Sequence, residues 1–190
     1  MTATGAYSEA IKLANQAPAS AGRVDYLINR PSEGVHVPVD SLTLDRERGI
    51  VGDRWAKTGW MKLADGSPDP RLQVSITNTK VMRCFTGSTE GAVFQCGDNL
   101  YVDFNLTEQH LRVGSRLKIG SAVLEVSEVM NDACGKFAQR FGAEAFKLIR
   151  TPEVSALRLR GVFCSIVESG RIEIGDGIQF QEGRGIVCPC

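Results

Sequence analysis

Leu111-Arg-Val-Gly114-Ser115-Arg-Leu-Lys-Ile119 and Ile172-Glu-Ile-Gly175-Asp176-Gly-Ile-Gln-Phe180 follow one pattern: apolar, any, apolar, glycine, polar, any, apolar, any, apolar. Alternation of this kind is the signature of a half-buried β-strand. A glycine inside such a run lets the strand bend or bulge, as the corners of a curled sheet require. Two bent strands at these positions predict a curled or closed sheet. Short turns flank both stretches. Gly120-Ser121 separates Ile119 from Ala122, and Ser169-Gly170 separates Glu168 from Arg171, and each reads as a two-residue hairpin.

The run after the first hairpin, Ala122-Val-Leu-Glu-Val-Ser-Glu-Val129, alternates Leu124 and Val126 with Glu125 and Ser127. It leads into a polar turn, Asn131-Asp132-Ala133-Cys134-Gly135-Lys136, and then into Phe137, Phe141, Ala145 and Leu148 at helical spacing. Cys134 thus stands where a strand gives way to a helix. Free backbone N–H groups, the positive end of the helix dipole and the nearby Lys136 all favour thiolate over thiol. Such a cysteine suits a nucleophile or a metal ligand. The alternative is a small apolar side chain filling the joint.

Length and composition bound what the chain does. Its 190 residues suit one domain with a sizeable core, and 43% hydrophobic with 23% charged residues is ordinary for a soluble fold. Lys+Arg and Asp+Glu balance at 22 each, which argues against a nucleic-acid-binding surface. No apolar run is long enough to span a bilayer, and the first residues lack the basic and apolar regions of a leader, so a cytoplasmic protein is expected. The six cysteines (84, 96, 134, 164, 188 and 190) are scattered and suit free thiols. With only His36 and His110, and no Cys-x-x-Cys, the zinc pattern is missing.

Residues 1–22 read as a short helix and a Pro-containing linker, an appendage to a domain over 23–181, with 182–190 as a tail. Strands are expected over 23–30, 35–39, 41–44, 71–76, 100–104 and 161–167, and helices near 78–85, capped by Thr77 or Asn78, and 135–149. A second short helix is expected from Thr151-Pro152-Glu153. The segment Asp45-Arg-Glu-Arg-Gly49-Ile-Val-Gly52-Asp53-Arg54-Trp55 is dense in charge and glycine. It is read either as a solvated loop with an Asp–Arg pair or as a support aiming an arginine into a pocket. Residues 57–70 form a long polar loop of the sort that often serves function. Asn99, after Gly97-Asp98, either caps its own turn or offers its amide to a ligand. The tail cysteines, Cys188 and Cys190, suit a metal or redox partner, yet deleting 186–190 is expected to leave folding and cofactor content unchanged.

Taken in order, several motifs form a recognisable series. These are Gly49-Ile-Val-Gly52-Asp53-Arg54, Arg71-Leu-Gln-Val-Ser-Ile76, Gly97-Asp98-Asn99-Leu100, Leu111 to Gly120, Asp132-Ala133-Cys134, Arg160-Gly161-Val162, and Ser169-Gly170 with Gly175-Asp176. The series resembles the MOSC domain, the C-terminal module of eukaryotic molybdenum cofactor sulfurases, which also occurs as stand-alone bacterial proteins. The resemblance covers about residues 23–181 and rests on motif order. It implies a mostly β, barrel-like fold with a few helices, in which Leu117, Ile119, Leu124, Val126, Ile166, Ile172 and Ile174 face the interior. It also implies that Cys134 matches the family's characteristic cysteine. In related enzymes, including the amidoxime-reducing components, that cysteine ligates the molybdenum of a pterin cofactor; in sulfurases it has been proposed to carry a persulfide.

The resemblance further implies a molybdenum cofactor (molybdopterin) whose phosphate end needs cations and N–H donors. Asp53, Arg54, Asn99, Lys136 and Arg160 are the candidates. Two positions depart from the family pattern. Ala133 stands where members often have Pro, and Trp55 where they often have His. The activities implied are reduction of N-hydroxylated compounds or handling of cofactor sulfur, with a separate redox or sulfur-donor protein as partner. A persulfide carrier that never holds the metal, and a non-catalytic β-barrel adaptor, are the other readings. The sequence carries no pyridoxal-phosphate site, so it is not itself read as a desulfurase.

Overall fold

The two glycine-centred stretches end up side by side. In the computed structural model, which describes residues 3–87, 89, 91–132 and 135–181, each glycine closes a tight turn just ahead of a strand. Gly114 (φ +79°) precedes β7 (Arg116–Ile119) and Gly175 (φ +89°) precedes β11 (Gly177–Gln181). The two strands pair antiparallel, with Ile178 opposite Ile119 and Phe180 opposite Leu117. The glycines therefore sit before the strands, and do not bend them from within as expected. A positive φ, which costs most side chains steric energy, turns the chain sharply enough for each strand to enter the barrel wall.

The other strands are β1 (Gly22–Asn29), β2 (Val37–Val39), β3 (Ser41–Asp45), β4 (Gly49–Ile50), β5 (Val74–Asn78), β6 (Leu100–Asp103), β8 (Ala122–Val126), β9 (Val162–Glu168) and β10 (Gly170–Glu173). The ring runs β11-β7-β8-β9-β5-β6-β1 and closes where Gly22 of β1 pairs with Ile178 of β11. Closure removes the unpaired edges that an open sheet would expose. All its pairings are antiparallel except β5 with β6. Inside lie Val24, Leu27, Ile76, Leu100, Leu117, Leu124 and Ile166 with their neighbours, all buried. The mostly β barrel with a few helices is thus observed.

The β10 stretch departs from the reading. Ser169-Gly170 does not fold β10 back on β9, because β10 pairs with β3 in a separate small sheet, Ile172 opposite Leu42. Six of the seven predicted interior residues are buried, but Ile174 is 47% exposed. Its strand ends at Glu173 and the Gly175 turn carries the chain away, so the alternation that would have turned Ile174 inward stops one residue short.

Six α-helices among the described residues cover the barrel: α1 (Ala3–Gln16), α2 (Trp55–Thr58), α3 (Thr79–Thr86), α4 (Gly135–Phe141), α5 (Ala143–Ile149) and α6 (Pro152–Ser155). Asn78 caps α3, its side chain accepting from the N–H groups of Lys80 and Val81. The single helix expected over 135–149 is two, since Gly142 takes φ +91° and breaks it. The N-terminal helix is no loose appendage. Ala10 and Ala14 are buried against a second apolar cluster with Met82, Phe137 and Ile149, and the Tyr7 ring stacks on Phe85 at 5.9 Å. Removing residues 1–16 is expected to uncover the equivalent of one or two large apolar side chains of this cluster, a cost of about 3 kcal/mol at roughly 1.5–3 kcal/mol each. Thermal melting should then fall by about 6–12 °C. An unchanged melting point would return the helix to the status of an appendage. The tail cysteines Cys188 and Cys190 lie outside the described residues. No helix among the described residues is long and apolar enough to cross a membrane.

Candidate functional site

The candidate site is built around Arg30, the residue that follows β1 before Pro31 stops the strand. Its guanidinium grips Asp53 with two contacts, Nε to Oδ2 at 2.8 Å and Nη2 to Oδ1 at 3.2 Å. Its Nη1 donates to the Ser75 hydroxyl at 3.2 Å and to the Gly97 carbonyl at 3.0 Å. Asp53, itself buried, also accepts from the Trp55 N–H (2.8 Å) and from the Asn99 amide (3.0 Å). Asn99 is fully buried, and its other amide contacts go to Ile28 and Ser75. A planar guanidinium held along its fork by a carboxylate, a hydroxyl and a carbonyl is locked in place.

Asp53 and Asn99 are candidates in the sequence to touch a cofactor, yet their hydrogen-bonding capacity is taken up within the network. They position Arg30. Nor is the Asp53 partner the adjacent Arg54. Trp55, at the position where family members often have histidine, packs under Gly49, at which a Cβ would lie 2.6 Å from the indole, and its ring N–H donates to the Asp69 carbonyl at 3.2 Å. It is a core residue.

A second buried pair lies beside the first. Arg160 pairs with Asp98 and donates to the Cys96 carbonyl at 2.9 Å, and its guanidinium lies 5.7 Å from the Phe137 ring of α4. Burial opposes its charge, but Asp98, with Cys96 and Tyr101, outweighs this and raises its pKa. Arg160 thus ties α4 to the Gly97-Asp98 turn. The Arg160 carbonyl accepts from Asn131 at 3.1 Å, which fixes the chain just ahead of Cys134. Asn131 and Asp132 also border a cavity of about 200 Å³, together with Ser127, Arg158 and Gly161.

The cations left for a ligand are on the rim. Lys136 and Arg140, four residues apart on α4, reach Glu33 and the Gln95 carbonyl (2.6 Å) respectively. The Lys136 hydrogen bond and charge hold the Glu33 carboxyl below its usual range. Arg54 makes no side-chain hydrogen bond or ion pair with any described residue, and acts on Glu33 and His36 through space. His36 is half-buried against Gly97; burial lowers its pKa from 6.5, and Arg140, Arg30 and Arg54 add to this. Asp53, Asp98 and Glu33 answer Arg30, Arg160 and Lys136, so the rim keeps the excess positive charge of Arg54 and Arg140.

Cys134, the candidate catalytic residue and metal ligand, lies outside the described residues. The described cysteines are poor nucleophiles. Burial pushes the thiols of Cys96 and Cys164 up to about 12, and that of Cys84 upward. Of the predicted cofactor residues, the structure brings Arg54 and Lys136 to one rim and buries the other three beneath it. Sequence reading missed Arg30, His36 and Arg140. Only Arg140 left a signal, its i, i+4 spacing from Lys136, which puts both cations on one helix face.

The sequence profile of the MOSC domain matches residues 69–179, more than half the chain. The chain belongs to the MOSC domain family. No curated protein matches the chain in sequence. Among solved structures it is similar to the YUAD protein from Bacillus subtilis, at 21% identity over 85% of this chain and 96% of that one, with a TM-score of 0.61. It is also similar to YiiM from Escherichia coli, at 18% identity, 84% and 70% coverage and a TM-score of 0.56. YiiM from Geobacillus stearothermophilus is similar at 16% identity, 87% and 77% coverage and a TM-score of 0.60. At these identities the likeness is one of fold. This MOSC protein carries its buried ion pairs at the end of the barrel where β1 stops and β5 begins.

Proposed function

We propose that this MOSC protein binds a pterin molybdenum cofactor, with the phosphate end on the Arg54, Arg140 and Lys136 rim and Cys134 as the thiolate ligand. The observation that carries the reading is the excess of cationic side chains on the rim that Lys136, two residues after Cys134 in sequence, shares with Arg54 and Arg140, set on rigidly paired arginines beneath. The donor set fits the group. A phosphate favours guanidinium and ammonium donors, and Gly97 lacks the Cβ that would lie 3.1 Å from His36 Nε2 and crowd the rim. Thiolate is a soft ligand suited to molybdenum and to sulfane sulfur.

When bound, the cofactor would supply the redox chemistry for reducing N-hydroxylated compounds, or would be the object of sulfur exchange. The chain's own residues bind and orient it. Arg54 and Arg140 neutralise the phosphate, and Asp53 and Asn99 hold Arg30 behind them. A separate protein would donate electrons or sulfur. The reading also assigns the protein to the cytoplasm.

Metal analysis of protein purified from a cofactor-competent host tests this. The wild type is expected to retain stoichiometric molybdenum, Cys134→Ser to lose it, and Arg54→Ala/Arg140→Ala to lower retention at least about tenfold. Arg54→Ala/Arg140→Ala should stay within about 0.5 kcal/mol of wild-type stability, because both side chains lie on the rim and not in the core. A wild type without molybdenum that gains one sulfur atom at Cys134 after exposure to a cysteine desulfurase would be a persulfide carrier instead. Absence of both would leave the adaptor reading.

A further inference from the structure

Among the described rim residues, His36 is the one that can change its charge near neutral pH. Its imidazole has no hydrogen-bond partner among the described residues, and its Nε2 edge lies against Gly97, so close that a Cβ there would come within 3.1 Å. The charged groups facing it come from four elements: Arg30 after β1, Arg54 before α2, Arg140 on α4, and Asp98 before β6. Glu33, in its own loop, is turned to Lys136. Burial, and then the unanswered charges of Arg140 and Arg54, make an imidazolium unwelcome while the rim holds no anion, since Arg30 is tied to Asp53 and Asp98 to Arg160. A doubly charged anion entering the same space reverses that balance.

We propose that His36 is the proton-linked member of this anion seat: when a phosphate-type dianion enters, the imidazole takes one proton from solvent and adds a charged donor to the site. The inference rests on reading the rim as the seat of an anionic cofactor tail. By linkage, the anion that favours the protonated histidine is itself bound more tightly as the pH falls. Arginines stay charged throughout, so they contribute no pH dependence of their own. A free phosphate, a phosphate ester and the cofactor tail share this chemistry, and the seat does not distinguish them at the level of charge.

Proton NMR of the histidine ring signals, with sulfate as the probe, tests the coupling directly. Sulfate does not titrate in the relevant range, and the chain has only His36 and His110. His110 is an internal control, sitting between the Phe104 and Phe180 rings at 5.4 and 5.5 Å. Saturating sulfate is expected to raise the His36 pKa by about one unit or more and leave His110 unmoved. Sulfate affinity should rise about three- to sixfold between pH 8 and pH 6 for a one-unit shift, and this rise should vanish in His36→Gln. Sulfate binding with an unmoved His36 pKa, or a common drift of both histidines, would overturn the coupling while leaving the molybdenum measurement to judge the cofactor reading. No sulfate binding at all would remove both the coupling and the anion seat. A normal molybdenum content in that case would show that the metal is held by other means.

Discussion

Asp53→Ala is expected to destabilise the protein by about 3–5 kcal/mol, read as a fall in the denaturant midpoint at unchanged slope. The Asp53 side chain is fully buried and takes four hydrogen bonds, two from Arg30 and one each from Asn99 and the Trp55 N–H. Its removal leaves a guanidinium, itself only 11% exposed, without its counter-charge. An uncompensated buried charge costs far more than the pair contributes when intact. Asp53→Asn separates charge from shape. It keeps the size but brings an amide face to face with the Asn99 amide and Arg30, and should recover little. Arg54→Ala, one residue on, should change stability by less than about 0.5 kcal/mol, because its side chain has no partner among the described residues. Equal effects of the Asp53 and Arg54 replacements would show that the Arg30 network is not the structural centre of the site.

The barrel was legible because its signals are local. Leu117 and Ile119, or Leu124 and Val126, alternate within a few residues, and the pleat places them on one face wherever the strand goes. Asn78 was legible as a cap for the same reason. The errors fall where a local signal meets a longer-range choice. Gly142 interrupts a helical pattern that Phe137, Phe141, Ala145 and Leu148 otherwise sustain, and periodicity alone does not register a single left-handed residue. Ser169-Gly170 offers a hairpin, but β10 has a second partner in β3, more than 120 residues away, and pairs with it.

The site was less legible than the fold. Arg54 and Lys136 came out of charge and motif position, but Arg30 reads in sequence as the ordinary end of a strand. Its partners lie 23, 45 and 67 residues away. Asp53 has the opposite problem. It sits beside Arg54, so sequence proximity suggests a pair that the fold does not make. Ion pairs between neighbours in sequence on a surface are worth little, whereas a buried guanidinium must have a partner, so the chain satisfies Arg30 first.

Gly161→Ala is expected to be the most damaging glycine replacement in the barrel. Gly161 begins the segment that leads into β9, with φ +90°, and a Cβ built there would lie 2.0 Å from the Ile76 carbonyl oxygen and 2.9 Å from the Thr77 Cα. Both obstacles are backbone of β5, which pairs with β9 at Ile76↔Val162 and cannot yield without breaking the barrel wall. Gly175 is the natural control. Its φ is +89°, nearly the same, but nothing lies within 4 Å of the position a Cβ would take there. Gly175→Ala should therefore carry only the conformational cost, about 1–2 kcal/mol for a left-handed L-residue. Gly161→Ala adds a steric clash against rigid backbone and should reach about 4–5 kcal/mol or more, enough to abolish soluble accumulation of a protein of ordinary stability. Because Arg160 precedes Gly161, any population that does fold should have its Asp98 pair displaced. Equal soluble yields and equal melting points for the two alanine variants would mean that the chain does not pass this close to β5, and the account of how Arg160 is delivered to Asp98 would fall with it.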